Sequence, residues 1–223
     1  MDATNADRLN AKIPAGFIVF ISGVSGAGKS TLANELLRAF DAFRIIEETD
    51  LIRETLRGYS EYLKEAFGDD NQFLLEPNLI TGHEKLLSFT DTKQQCTFMK
   101  KSIEKIVERQ QRRGIPSIIN GAHIVPEILD GILKNRNVVY LNLHMNNQDE
   151  IYSRLFKRDP HSFVLNHISL LYETNIALYL STSALSNKSE HVFNNIDVTN
   201  LNIKEVLAIA IECIAKAVEK VKL

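Results

Sequence analysis

The sequence predicts a three-layer α/β domain, with a mainly parallel five-stranded sheet covered by helices on both faces. Three observations lead there. The apolar run Phe17-Ile18-Val19-Phe20-Ile21 enters a glycine-rich turn and then the helical pattern of Leu32, Leu36 and Leu37. Further short apolar segments alternate with helical stretches along the rest of the chain. At 223 residues, with 44% hydrophobic and 24% charged side chains, the chain holds enough apolar material for one sizeable core plus a small insertion or lid.

Taken in order, the second strand spans about Arg44 to Glu48 and ends in Thr49-Asp50, with a helix from near Leu51 through Leu56. Beyond Gly58 the periodicity weakens through Tyr59, Tyr62, Leu63 and Phe67, so 59–91 reads as an acceptor-side insertion. A helix from about Thr92 to Arg113 carries Phe98, Ile103, Ile106 and Val107 on its apolar faces and closes at Gly114. Ser117-Ile118-Ile119-Asn120 reads as the third strand. Pro126 opens a helix through Ile128, Leu129, Ile132 and Leu133. Val138 to Leu143 is the fourth strand and Gln148 to Arg158 a helix, with 147–163 as a closing lid. A long helix between Val164 and Ser183, a short strand at His191 to Asn195 and a last helix from Ile203 to Val221 complete a single domain over 1–223.

The segment Gly23-Val24-Ser25-Gly26-Ala27-Gly28-Lys29-Ser30-Thr31 fits the spacing of a P-loop, or Walker A motif, and stands where that motif needs a strand before it and a helix after it. Gly23 and Gly28 let the backbone turn so that successive N–H groups aim at phosphate oxygens. The helix that follows adds the positive end of its dipole. Ser25, Gly26 and Ala27 complete the cradle. Lys29 is positioned to reach the β- and γ-phosphates of ATP, and Ser30 to ligate Mg2+. Thr31 either touches the α-phosphate or makes a local helical hydrogen bond. The fold expectation is therefore a P-loop NTPase or kinase fold.

Open parallel sheets build their sites at strand C-termini, which singles out Asp50. It either orients and deprotonates an acceptor hydroxyl, holds the magnesium shell, or caps the helix beginning at Leu51. Arg53 and Arg57 share a helical face beside it and either bind an anionic acceptor or face solvent. Arg154 and Arg158 share a face of the helix expected in the lid, where they either neutralise a transferring phosphoryl group or face solvent. Asn120 reaches the third strand's end, and His123 either donates to an anionic acceptor or is a satisfied structural histidine. The six histidines form no ligand pattern for a metal.

Several classes are disfavoured. A formal charge of −2, with no basic track and no interleaved aromatics, argues against a nucleic-acid partner. No apolar run reaches membrane-spanning length and the N-terminal residues make a poor export signal, so no membrane partner and a cytoplasmic location are expected. Cys96 and Cys213 suggest buried thiols rather than a disulfide framework. Asn187-Lys188-Ser189-Glu190 ends in Glu where a guanine-reading motif needs Asp. The sequence assigns no oligomeric state.

The loop, then Thr49-Asp50-Leu51-Ile52-Arg53-Glu54-Thr55-Leu56-Arg57, and then Asn120-Gly121-Ala122-His123-Ile124-Val125-Pro126 resemble the 2-phosphoglycerate kinase family in order and spacing, loosely from Phe17 to Asn195. The last segment resembles that family's Glu-Gly-Val-His-Leu-Val-Pro signature, with Asn120 in place of its Glu. The resemblance implies a P-loop kinase fold and transfer of the ATP γ-phosphoryl group to 2-phosphoglycerate. It assigns the phosphate-loop roles to Gly28, Lys29, Ser30 and Thr31 and the strand-end acid to Asp50. Asparagine cannot supply the carboxylate of the signature. The expectation is an ATP- and Mg2+-dependent kinase of a small, anionic metabolite. The competing readings are a toxin-like, antibiotic, sugar or nucleotide kinase, and a non-enzymatic nucleotide switch.

Overall fold

The computed structural model describes residues 12–68, 87–187 and 192–221. Strand β1, Ile18–Ser22, is completely buried. Its unbroken apolar run is the pattern of a strand covered on both faces. β3, Ser117–Asn120, and β4, Val138–His144, are buried throughout and flank β1. β2, Ile45–Glu48, and β5, Phe193–Asp197, form the half-exposed edges. The sheet order is β2-β3-β1-β4-β5, with every pairing parallel. All five C-termini therefore leave the sheet on one side, with the chain reversal beside β1.

Helices α1, Lys29–Ala39, α2, Thr49–Phe67, α3, Phe89–Arg112, α4, Asp130–Leu133, α5, Gln148–Arg158, α6, Ile168–Ser186, and α7, Ile203–Val221, cover the sheet. α1 packs on α7, while α6 packs on α3 and α5, giving two helical layers. Asn147 caps α5 through the Asp149 N–H at 2.8 Å. Asn202 accepts from Lys204 and Glu205 while the Glu205 carboxylate accepts from the Asn202 N–H, a reciprocal cap that starts α7 at Ile203.

Some boundaries differ from the sequence reading for identifiable reasons. α3 starts at Phe89 rather than Thr92, because Ser88 accepts from the Asp91 N–H at 3.1 Å and donates to its carboxylate at 2.6 Å. α2 begins at Thr49 and runs unbroken past Gly58 to Phe67, so 59–67 continues the helix; 69–86 lies outside the described residues. The helix expected from Pro126 is a single turn, Asp130–Leu133. Ahead of it the Val125 carbonyl accepts from both Ile128 and Leu129, and turns bury Ile124, Val125 and Leu129 completely. The Ile124 carbonyl is itself held by Ser22 Oγ at 2.7 Å and Tyr140 Oη at 3.4 Å, tying this segment to β1 and β4. β5 extends two residues beyond the expected Asn195 because its ladder with β4 continues to the His144–Asp197 pair; His191 lies outside the described residues. Beside that ladder, buried Asn175 of α6 bonds both backbone groups of Met145 and secures the end of β4.

Near the sheet's C-terminal edge Gly121, just after β3, packs directly on Thr49, the first residue of α2. A Cβ on Gly121 would stand 1.7 Å from Thr49 Oγ1 and 2.8 Å from Thr49 Cβ. Only a glycine lets these two chain crossings meet. Gly121→Ala is expected to destabilise the fold by roughly 1–3 kcal/mol in urea denaturation. In a double-mutant cycle with Thr49→Ala the losses should be less than additive, because the second change removes the clashing hydroxyl.

Candidate active site

The C-terminal edge of the sheet opens into a cavity of about 420 Å3. Its walls are Ser25, Gly26 and Gly28 from the glycine-rich loop, Lys29, Ser30 and Thr31 from the start of α1, and Glu48 and Asp50 from the β2–α2 junction. Asn120, Gly121 and Ala122 follow β3, and Arg154 with Arg158 come from α5. Four separate stretches of chain thus meet at one point.

Gly28 carries a left-handed backbone, φ 92°, immediately before α1 begins. That conformation suits glycine and directs the loop into the helix at its first amides. The first turn of α1 contains no acidic residue and Gly28 makes no side-chain cap, so the positive helix end is left to act on the cavity. Gly26 brings the loop against Leu155 and Arg154 of α5. Gly26 and Arg154 are both wall residues of the cavity.

Lys29 folds back to donate from Nζ to the Val24 carbonyl at 3.0 Å. Burial pushes its ammonium down to about 8, and Arg158 adds to the fall, while Asp50 and then Glu48 oppose it. Ser30 Oγ lies between two strand ends: it donates to Glu48 Oε1 at 3.4 Å and accepts from Asn120 Nδ2 at 3.4 Å. Asn120 is buried, and its Oδ1 has no hydrogen-bond partner among the described residues.

Arg154 is anchored through Nε to Glu150 at 2.6 Å and through its terminal nitrogen to the Val198 and Thr199 carbonyls beyond β5. The α5 helix is thereby pinned to the β5–α7 connection while its arginines face the cavity. Asp50 lies within the first turn of α2, not ahead of a helix beginning at Leu51, and Glu48 occupies the N-cap position. The Asp50 carboxylate is half-exposed, with Arg53 Nη1 and His123 Nδ1 each 3.7 Å from Oδ1.

Not every residue singled out from the sequence walls this cavity. Gly23 lies beneath the loop against the Leu143 carbonyl, and Ala27 is buried. The Arg53 guanidinium is buried, bonded to Glu54 Oε1 at 2.9 Å and 3.1 Å, and Arg57 pairs with the same carboxylate at 3.0 Å. Glu54 lies within reach of both side chains along one helix, and it draws them together. His123 is fully buried, with Nδ1 3.0 Å from Thr49 Oγ1. Arg53 and His123 contact the junction that carries Asp50, Arg57 is held by Glu54, and none of the three lines the cavity. Glu48 is a wall residue that the sequence reading passed over, although the same strand-end rule that selected Asp50 applies to it. Among the described residues no group of three or more His, Cys, Asp or Glu side chains is gathered as a metal cluster, and no helix is long and apolar enough to cross a membrane.

No family model matches the chain. Three curated 2-phosphoglycerate kinases are similar to parts of it. That of Methanothermobacter thermautotrophicus is 28% identical over 147 residues, covering 63% of this chain and 47% of its own. That of Pyrococcus horikoshii is 26% identical over 181 residues, covering 73% and 54%. That of Methanopyrus kandleri is 30% identical over 151 residues, covering 63% and 43%. The chain spans about half the length of the curated relatives it matches. Among solved structures, a gluconokinase from Sinorhizobium meliloti 1021 superposes over 92% of this chain and 95% of its own at TM-score 0.55 and 16% identity, a likeness of fold. The chain thus has a three-layer α/β fold with a five-stranded parallel sheet, like that of the gluconokinase, and a divergent similarity to 2-phosphoglycerate kinases.

Proposed function

We propose that this chain is an ATP-dependent phosphotransferase that moves the γ-phosphoryl group to a hydroxyl of a small anionic metabolite such as 2-phosphoglycerate. The observation that carries the reading is the meeting of Lys29, Ser30, Asp50, Arg154 and Arg158 around one cavity at a glycine-rich helix N-terminus. Similarity to 2-phosphoglycerate kinases supports this acceptor class.

In this reading Ser25, Gly26, Ala27 and Gly28 wrap the triphosphate with backbone amides, and Thr31 sits beside the α-phosphate. Lys29 leaves the Val24 carbonyl for the β- and γ-phosphate oxygens. The donor set fits a magnesium ion: the Ser30 hydroxyl and the Glu48 carboxylate, 3.4 Å apart, and the nearby Asp50 carboxylate are hard oxygens on the wall of one cavity. Ser30 and a carboxylate of the β2–α2 junction would hold it, and when bound it neutralises charge on the phosphoryl oxygens.

The acceptor hydroxyl oxygen forms a bond to the γ-phosphorus as the bond from phosphorus to the β–γ bridging oxygen breaks. ADP leaves with that electron pair, and the acceptor proton passes to Asp50. Arg154 and Arg158 stabilise the charge spread over the transferring oxygens and help exclude water as the α5 segment, 147–163, closes. Thr49, His123 and Arg53 hold the first turn of α2 so that Asp50 faces the acceptor.

Wild-type protein incubated with Mg-ATP and a panel of 2-phosphoglycerate, gluconate, nucleosides and aminoglycosides should add one phosphate mass to an anionic hydroxy acid. Asp50→Asn and Lys29→Ala should each cut turnover by about 100-fold or more while circular dichroism is retained. Nucleotide binding without phosphorylation of any acceptor would favour a switch instead.

A pH dependence follows from Lys29. Its free ammonium titrates at about 8, and a bound triphosphate favours the charged form, raising that value. Affinity for ATP should therefore be fully present below this pH and fall by up to about tenfold per pH unit above it. Calorimetry in buffers of different ionisation enthalpy should detect proton uptake on binding above pH 8, absent in Lys29→Met.

A further inference from the structure

A closed ring of hydrogen bonds lies just past the ends of β4 and β5, outside the cavity walls. Asp197 is the last residue of β5 and the ladder partner of His144, the last residue of β4. Its Oδ1 accepts from the Thr199 amide at 3.0 Å and from the Thr199 hydroxyl, and its Oδ2 accepts from Asn146 Nδ2. Asn146 donates its own backbone N–H to Thr199 Oγ1 at 2.8 Å, which completes the ring. Between them, the Val198 N–H donates to the His144 carbonyl at 2.9 Å. Burial alone would raise the Asp197 carboxyl, but the Thr199 hydroxyl and amide, then His144 and Asn146, bring it below the usual carboxylate range. Segment 197–199 is thus held from three directions.

What this segment presents to α5 is a pair of carbonyls. Those of Val198 and Thr199 both accept from Arg154 Nη2, while Arg154 Nε is held by Glu150 at 2.6 Å. Nη1 makes no hydrogen bond among the described residues, yet Arg154 lines the cavity. A guanidinium is a rigid plane, so fixing Nε and Nη2 also fixes the direction of Nη1.

Building on the phosphotransferase reading, we propose that Asp197 is a positioning residue for the reaction: by holding segment 197–199 it aims the open edge of Arg154 at the phosphates of ATP. Asp197 itself touches neither nucleotide nor acceptor. Its charge and its geometry work in opposite directions, which makes the idea decidable. Acting through charge alone, a carboxylate near a triphosphate weakens binding, and its removal would tighten it. Acting as a support, its removal frees Arg154 to wander, and ATP must then bear the cost of ordering that side chain.

The test titrates Mg-ATP into the full chain by calorimetry and measures turnover of the acceptor that the wild type phosphorylates. Asp197→Ala should weaken ATP binding about tenfold and lower kcat, with the KM for the acceptor unchanged. Asp197→Asn keeps an acceptor oxygen for Thr199 and should lose less than about threefold. Thr199→Val removes the hydroxyl from the ring while keeping its shape, should also weaken ATP binding, and decides the matter if Asp197→Ala loses its circular dichroism. In an Arg154→Met background each change should cost less than about twofold, because the side chain it acts through is gone. Tighter ATP binding in Asp197→Ala, or an equal loss with and without Arg154, overturns the assignment. Wild-type protein that binds Mg-ATP but phosphorylates no acceptor overturns the phosphotransferase reading, while the binding cycle still decides the role of Asp197; absence of ATP binding by the wild type overturns both.

Discussion

Everything at the cavity depends on the pairing of β1 between β3 and β4. Because β1 is bonded on both edges and buried on both faces, its C-terminus is immobilised where the glycine-rich loop begins. Parallel neighbours then end on the same side, bringing Glu48, Asn120 and the start of α1 within reach of each other. An antiparallel neighbour would send its polar end to the opposite edge. The apolar run 17–21 is thus also the element that positions the polar chemistry.

The cavity walls are held from outside as well as from the sheet. Ile124 is bound by hydroxyls from β1 and β4, which fixes the turn following Gly121. Thr49 presses on Gly121 and bonds His123, so the junction carrying Asp50 is seated against the end of β3. On the opposite wall, Arg154 joins α5 to the carbonyls after β5, and Leu155 meets the loop at Gly26. Buried polar groups that find specific partners favour one arrangement over looser ones, since any misplacement leaves them unsatisfied.

Charge is distributed with the same economy. Two arginines of α2, Arg53 and Arg57, are compensated by Glu54 within their own helix; Arg154 pairs with Glu150 of α5 but still lines the cavity, as Arg158 and Lys29 do. The cations that line the cavity therefore come from two sources, the start of α1 and α5. Opposite them stand the two carboxylates of the β2–α2 junction. A triphosphate and a divalent cation are the partners such a balance suits.

Periodicity and glycine placement alone determined the strand–loop–helix unit at the start of the chain, the five strands, the parallel architecture and helices α5 and α7 to the residue. These are local properties: strand burial shows as an apolar run, and a cap shows as Asn followed by acids. The α3 start was equally written in Ser88 and Asp91, a local signal passed over. Tertiary structure alone decided which polar residues meet. Arg53 and Arg57 share a sequence neighbourhood with Asp50, and His123 follows the strand end at Asn120, yet contacts with Glu54 and Thr49 keep all three off the cavity wall. Glu48 and Asn120 are 72 positions apart and become neighbours only through strand register, because side-chain proximity across a sheet is set by pairing and not by distance along the chain.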